Sequence, residues 1–91
     1  MSEKTAAKNK STIIVADQEG DTDEIVENRH AHLDQLLRIG LRKLIGEHVD
    51  PSNYDLVIDG NAQKNLSETL EEAGLHDRSE VLILPKDVSR G

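Results

Sequence analysis

The side chains in this sequence that could bind a metal ion or transfer a proton near neutral pH are its four histidines. His30 and His32 are two positions apart at the start of a predicted helix, and residues with that spacing do not share a helical face. None of the histidines has the spacing typical of metal ligands. We therefore expect solvated histidines and no metal site. The four are His30, His32, His48 and His76.

A second group with chemical potential is a run of carboxylates in one predicted hairpin. Two carboxylates can act as general acid and general base when a cavity gives them different environments and therefore different pKa values. A chain of 91 residues has little room for such a cavity. No phosphate-binding loop or nucleophile motif appears either. We expect a solvated acidic surface and no enzyme activity. The carboxylates are Asp21, Asp23, Glu24 and Glu27.

The composition excludes several other functions. The sequence has no cysteine, which excludes disulfides, thiolate metal sites and a thiol nucleophile. Its net charge of −7 opposes binding to nucleic acid or to anionic membranes but suits a basic protein partner. No apolar run reaches the roughly 18 residues of a membrane span, and no signal peptide is recognisable. A cytoplasmic location is the default expectation.

One amphipathic helix is predicted at 31–46. Its apolar residues follow the i, i+3, i+4, i+7 rule for a single buried stripe. Asn28 is a candidate N-cap, and Gly46 is a suitable residue at which to end the helix. At 1.5 Å per residue the helix would be roughly 24 Å long. The stripe consists of Leu33, Leu36, Leu37, Leu41, Leu44 and Ile45.

The rest of the chain reads as strands and turns around this helix. The patterns predict strands at 11–16, 22–27, 54–59 and 80–84. The segment 65–75 is predicted to contain a short helical turn that ends at Gly74, and Pro85 is predicted to stop the last strand. We expect a disordered leader at 1–10, a domain at 11–84 and a flexible tail at 85–91. A mixed four-stranded sheet with one long helix on one face is an α+β arrangement.

Two of the predicted strands are apolar on both faces. Successive strand residues point to opposite sides of a sheet. We take the residues that face the helix to be Leu56, Ile58, Val81 and Ile83. The intervening residues then face away from the helix, and the chain offers no second long helix to cover them. An exposed apolar patch commonly marks a protein-binding surface. The predicted patch consists of Val57, Leu82 and Leu84.

The order of elements, together with several short motifs, resembles the β-grasp fold of ubiquitin-like proteins. The resemblance covers 11–91. It is carried by Leu56-Val57-Ile58-Asp59-Gly60, by Leu66-Ser67, and by Ser79-Glu80-Val81-Leu82-Ile83-Leu84 followed by a short tail that ends in Arg90-Gly91. Free-standing bacterial ubiquitin-like proteins look most similar. The sequence departs from ubiquitin in having one terminal glycine instead of two, and in carrying Pro85 and Asp87 in the tail.

The resemblance implies a protein modifier whose Gly91 carboxylate is activated and then joined to an amine of a target by an isopeptide bond. The tail residues Val88, Ser89 and Arg90 would thread into the activating enzyme, and Val57, Leu82 and Leu84 would form its docking face. Glycine suits the reacting position because a side chain would block a narrow channel. The implied partners are an activating (adenylating) enzyme, a conjugating enzyme, a deconjugating peptidase and a target. ATP would be used by the activating enzyme, so we expect no cofactor on this chain and a free monomer.

Two alternatives remain open from the sequence. The single glycine and Pro85 favour a binding module that uses the same surface without conjugation. A sulfur carrier, which would bear a thiocarboxylate on its last glycine, is the third reading and the least favoured, because that family usually ends in two glycines.

Overall fold

The computed structural model describes residues 9–86; residues 1–8 and 87–91 lie outside the described part. Within it the elements, numbered here in chain order, are β1 (Lys10–Asp17), β2 (Thr22–Asn28), α1 (Leu33–Leu44), a 3₁₀ turn (Pro51–Asn53), β3 (Tyr54–Ile58), β4 (Asn61–Ala62) and β5 (Glu80–Pro85). No helix among these residues is long and apolar enough to cross a bilayer.

The strands form one mixed sheet in the order β2-β1-β5-β3-β4. β1 and β5 run parallel, and the other neighbours are antiparallel. The sheet has five strands where the sequence predicts four. β4 has only two residues and follows a tight turn in which Asp59 and Gly60 have positive φ values of 53° and 81°. A strand this short shows no alternation, so the pattern could not reveal it.

The core lies between the sheet and the buried stripe of α1. Alternate residues of β1, β3 and β5 pack against the helix, as the alternation predicts. The last two residues of the predicted stripe are less buried than the rest, since Leu44 is only partly buried and Ile45 is 43% exposed. The helix ends at Leu44, and the N–H groups of Ile45 and Gly46 both donate to Leu41 O at 2.8 Å. The fully enclosed side chains are Ile13, Val15, Leu33, Leu36, Leu37, Leu41, Leu56, Leu70, Val81 and Ile83.

The helix begins two residues later than predicted, and Asn28 is not its cap. Asn28 ends β2, and its side chain accepts a hydrogen bond from His30 N–H at 2.8 Å. The N-cap position is His32, which makes no side-chain capping bond. The N–H groups of Leu33 and Asp34 donate instead to carbonyls at 66 and 68, at 2.8–3.0 Å. Distant backbone therefore caps the helix in place of a side chain.

The segment that provides those carbonyls, 65–75, forms a series of turns and not a regular helix. One α-type bond joins Ala73 N–H to Thr69 O at 3.0 Å, and Gly74 has φ +85°. Leu70 is fully buried and Leu75 nearly so. These two leucines join the segment to the core, and several of its backbone bonds are made to the start of α1.

β5 extends one residue beyond its predicted end. Pro85 remains opposite Tyr54. The next residue, Lys86, donates its backbone N–H to Asn53 O at 2.8 Å. Proline has no N–H to donate, so this pair of strands lacks one hydrogen bond at Pro85. The next hydrogen bond, from Lys86 to Asn53, still holds the two segments together.

Candidate interaction face

β5 presents a buried face and an exposed face in strict alternation. Val81 and Ile83 are 2% and 0% exposed and pack against α1. Leu82 is 41% exposed, and Leu84 is half-buried. Val57 on β3 is also half-buried. Val57, Leu82 and Leu84 therefore alternate with the core residues, and of the three Leu82 alone is exposed. Their role as a partner-binding surface stays a prediction.

Leu82 stands at the centre of this exposed face. Its neighbours across the sheet are Ala16 on the parallel strand β1 and Val57 on the antiparallel strand β3. The row continues to Thr22 on β2 and Ala62 on β4. Ala16 is small, and the Leu82 side chain beside it is 41% exposed.

Two further residues of this face, Ile14 and Ala16, were not singled out from the sequence. Both are half-buried members of β1 and line the same shallow groove as Val57 and Leu82. The signal was present in the sequence: Ile13 and Val15 are core residues, so their neighbours must point the other way. We call the set Ile14, Ala16, Val57, Leu82 and Leu84 the outer face.

Carboxylates border the outer face. Glu24 is opposite Ile14, and Asp55 is opposite Leu84 in the strand register. Two cations lie close to them: Arg78 Nη1 is 3.7 Å from Glu24 Oε2, and Lys86 Nζ is 3.7 Å from Asp55 Oδ1. Exposed ion pairs of this kind contribute roughly 0–1 kcal/mol each. Glu80 and Asp59 also line the groove and add negative charge.

Comparisons with known proteins address the fold. No protein-family model matches the sequence, and no curated protein matches it in sequence. Among solved structures, the ubiquitin of Caldiarchaeum subterraneum superposes with a TM-score of 0.70 at 20% identity, covering 87% of this chain and 96% of that one. A de novo protein designed on the basis of ubiquitin gives a TM-score of 0.73 at 18% identity, with 91% and 96% covered.

This chain has the ubiquitin-like β-grasp fold. The resemblance seen in the sequence is therefore confirmed at the level of fold, together with the α+β class and the single helix on one side of a mixed sheet. At identities of 18–20% the similarity establishes the fold and not the activity. The activity has to be argued from the residues.

Three of the four histidines, His30, His32 and His76, contact a neighbouring carbonyl or carboxylate. His32 Nδ1 lies 2.6 Å from Ser67 O, so this nitrogen carries the proton, and His30 Nδ1 lies 3.6 Å from Glu71 Oε1. Within residues 9–86, no three His, Cys, Asp or Glu side chains are grouped closely enough to hold a metal ion.

The remaining predicted site lies at the end of the chain. Val88, Ser89, Arg90 and Gly91 fall outside the described residues. Their predicted roles in threading and activation remain predictions.

Proposed function

We propose that this chain is a ubiquitin-like protein modifier activated at Gly91. In the proposed sequence the Gly91 carboxylate attacks the α-phosphate of ATP and releases pyrophosphate. A cysteine thiol of the activating enzyme displaces AMP to form a thioester. The thioester passes to a conjugating enzyme, and an amine of the target finally displaces the thiol and forms an amide. The cofactor ATP is held by the activating enzyme, and this chain is the substrate.

The observation that supports this proposal most strongly is that two residues of the outer face, Leu82 and Leu84, and the C-terminal residues belong to one strand and its continuation. Leu82 and Leu84 lie on β5, and the backbone is held to β3 as far as Lys86. The five residues from there to Gly91 span at most roughly 17 Å when extended. An enzyme that grips Leu82 would therefore have the terminal carboxylate within a short and definite reach.

The test is adduct formation with a cognate activating enzyme and ATP. Removing Gly91 should abolish both ATP–pyrophosphate exchange and the thioester adduct, since no carboxylate then reaches the nucleotide site. Leu82→Asp should weaken both by placing a charge at the centre of the docking face. Glu47→Ala, at an exposed position after α1, is the matched control and should leave both unchanged. An adduct formed by the chain lacking Gly91 would refute the tail assignment.

A second candidate, a binding module that is never conjugated, is favoured by the attachment of Pro85 and Lys86 to β3. Lys86 makes both a backbone bond to Asn53 and a contact of 3.7 Å with the Asp55 carboxylate, which leaves a short tail. This candidate predicts that Leu82→Asp destroys partner binding while removal of Gly91 changes nothing. The same pair of variants therefore separates the two functions.

A further inference from the structure

The turn between β3 and β4 contains the one aspartate of the chain that is followed by a glycine, Asp59-Gly60. No asparagine precedes a glycine, and the other acidic residue that does so is Glu19, in the turn between β1 and β2. A glycine after an aspartate matters chemically because no side chain then shields the backbone nitrogen that follows the carboxyl. The Gly60 nitrogen can attack Asp59 Cγ and close a five-membered ring.

Both reacting groups are exposed and free of partners among residues 9–86. A Cβ at Gly60 would meet no atom within 4 Å. Gly60 N–H donates to no acceptor in this part of the chain, and the Asp59 carboxyl forms no hydrogen bond or ion pair there. Asp17, in the other tight turn, differs, because its Oδ1 accepts from the N–H groups of Glu19 and Asp21 at 2.9 and 3.0 Å. The carboxyl and the amide are thus both available at Asp59.

The backbone around this turn is held by few contacts. Asp59 and Gly60 have positive φ values of 53° and 81°, the conformation typical of a two-residue hairpin turn. Left-handed backbone is unfavourable for a residue with a Cβ, so the cost of rotating Asp59 out of it is reduced. β4 has two residues, both exposed, and joins β3 through two residue pairs. A rotation at Asp59 therefore disturbs only this short hairpin.

We propose that Asp59 is a site of spontaneous isomerisation to isoaspartate. Gly60 N attacks Asp59 Cγ and forms a C–N bond, and the carboxyl hydroxyl leaves with the amide proton as water, which gives a cyclic succinimide. Water then adds to one of the two ring carbonyls and breaks its bond to the nitrogen. Opening at Cγ restores aspartate. Opening at the former backbone carbonyl gives isoaspartate, in which the chain runs through Cγ and the backbone carbonyl carbon becomes a free carboxylate.

This isomerisation would change one end of the groove beside the outer face. Asp59 and Gly60 line that groove together with Leu82. The new linkage adds one backbone atom to the turn, so a two-residue connection no longer matches the register of β3 and β4. The hydrogen bond from Gln63 N–H to Leu56 O, at 2.9 Å, continues this hairpin and should weaken. The inference concerns the turn alone and does not rest on conjugation.

The test incubates the folded full chain at neutral pH and physiological temperature in water enriched in oxygen-18. Isoaspartate is located by peptide mapping and quantified by methyl transfer from labelled S-adenosylmethionine with a purified isoaspartyl methyltransferase. Isoaspartate and an incorporated oxygen-18 atom should accumulate at Asp59. Glu19 and Asp21 are internal controls and should not react, because Glu19 would need a six-membered ring and Asp21 precedes the branched Thr22.

Variants of the turn identify the reacting groups. Asp59→Glu should eliminate the isoaspartate signal, because its ring would also have six members. Asp59→Asn should react faster and lose ammonia in place of water, so each reacted chain gains the mass difference between an amide and an acid. Gly60→Ala should suppress the reaction, although the positive φ strains an alanine there; the two Asp59 variants keep the test valid if this one fails to fold. Asp21→Glu, in the other turn, is the matched control and should leave the signal at Asp59 unchanged.

The structural consequence is read by hydrogen exchange on the separated isoaspartyl chain. Exchange at Gln63 N–H should be faster than in the unmodified chain, while exchange at the core residue Val15 should be unchanged. Isoaspartate that forms in the urea-unfolded chain but not in the folded one would overturn the proposal, because the turn would then hold the two groups apart. Equal isoaspartate at Asp21, or an undiminished signal in Asp59→Glu, would also overturn it.

Discussion

The Cδ1 atom of Ile83 on β5 occupies the space in which a side chain at Gly40 of α1 would begin. Ile25 Cδ1 and Val15 Cγ1 are both 3.7 Å from the same point. Gly40 is buried and stands in the middle of the helix, where glycine lowers stability by about 1 kcal/mol relative to alanine. The glycine allows the helix to lie close to the sheet, and a Cβ at this position would force the end of the Ile83 side chain to move.

Gly40→Ala should lower the free energy of unfolding by about 1 kcal/mol, because the cost of overpacking, roughly 1–3 kcal/mol, exceeds the gain in helix propensity. Ile83→Val removes Cδ1 and should itself cost about 0.5–1.5 kcal/mol. The free energies of unfolding of both single variants and of the double variant are measured by chemical denaturation. The double variant should lose less stability than the sum of the two single losses. Gly46→Ala, whose new Cβ would meet only Val49 at 3.9 Å, is the control and should be nearly neutral. Additive single effects would contradict the close contact.

Neighbouring positions of β5 should respond oppositely to truncation. Ile83→Ala should destabilise the chain by about 2–5 kcal/mol because it empties the core. Leu82→Ala should change stability by less than about 1 kcal/mol because the side chain is 41% exposed. Urea denaturation followed by far-UV circular dichroism measures both. A large loss for Leu82→Ala would show that the outer face is covered in solution.

The start of α1 should open together with the segment 65–75. The N–H groups of Leu33 and Asp34 are bonded to carbonyls of that segment. Asn65 holds its first turn by accepting from Ser67 N–H and O–H at 3.2 and 2.5 Å. In Asn65→Ala, amide exchange at Leu33 and Asp34 should speed up while exchange at core positions of β1 is unchanged. Equal acceleration throughout the chain would instead indicate global destabilisation.

Asp50 should contribute to stability only above the acid range. Its Oδ1 accepts from the Ser52 backbone N–H and then from the Ser52 hydroxyl, at 3.0 and 2.9 Å, and these bonds lower the pKa of the carboxyl from its ordinary 3.8. Because the folded state has the lower pKa, the contribution is complete above the unfolded pKa and is lost as the pH falls through the folded one.

The measurement is the free energy of unfolding of the wild-type chain and of Asp50→Ala between neutral pH and about pH 2. The difference between them should shrink below about pH 4, where the unfolded carboxyl begins to take up its proton. In Ser52→Ala the backbone donor remains, so an NMR titration of Asp50 should move only part of the way back towards 3.8. A difference that stays constant with pH would contradict the role of the ionised carboxylate.

Sequence reasoning succeeded where a local pattern of apolar residues directly determines which side chains are buried. The 3.6-residue period of α1 and the alternation of β5 each depend on one buried face, and both are confirmed. It failed where a bond partner is remote in sequence. Asn28 has the right chemistry for a helix cap, yet the helix is capped by backbone more than thirty residues away, at Leu66 and Glu68, and no local signal identifies such a partner.

The sequence alone determined most of the buried stripe of α1, the two faces of β5 and the order of the longer elements, because hydrophobic periodicity follows from the geometry of each element taken separately. Only the tertiary structure decided that β1 and β5 are neighbours, that Leu82 therefore stands between Ala16 and Val57, and that β2 is an edge strand of the sheet formed by residues 9–86. Strand order depends on long-range pairing, in which many alternatives bury the same side chains, and the choice among them is made by how the whole sheet fits against one helix.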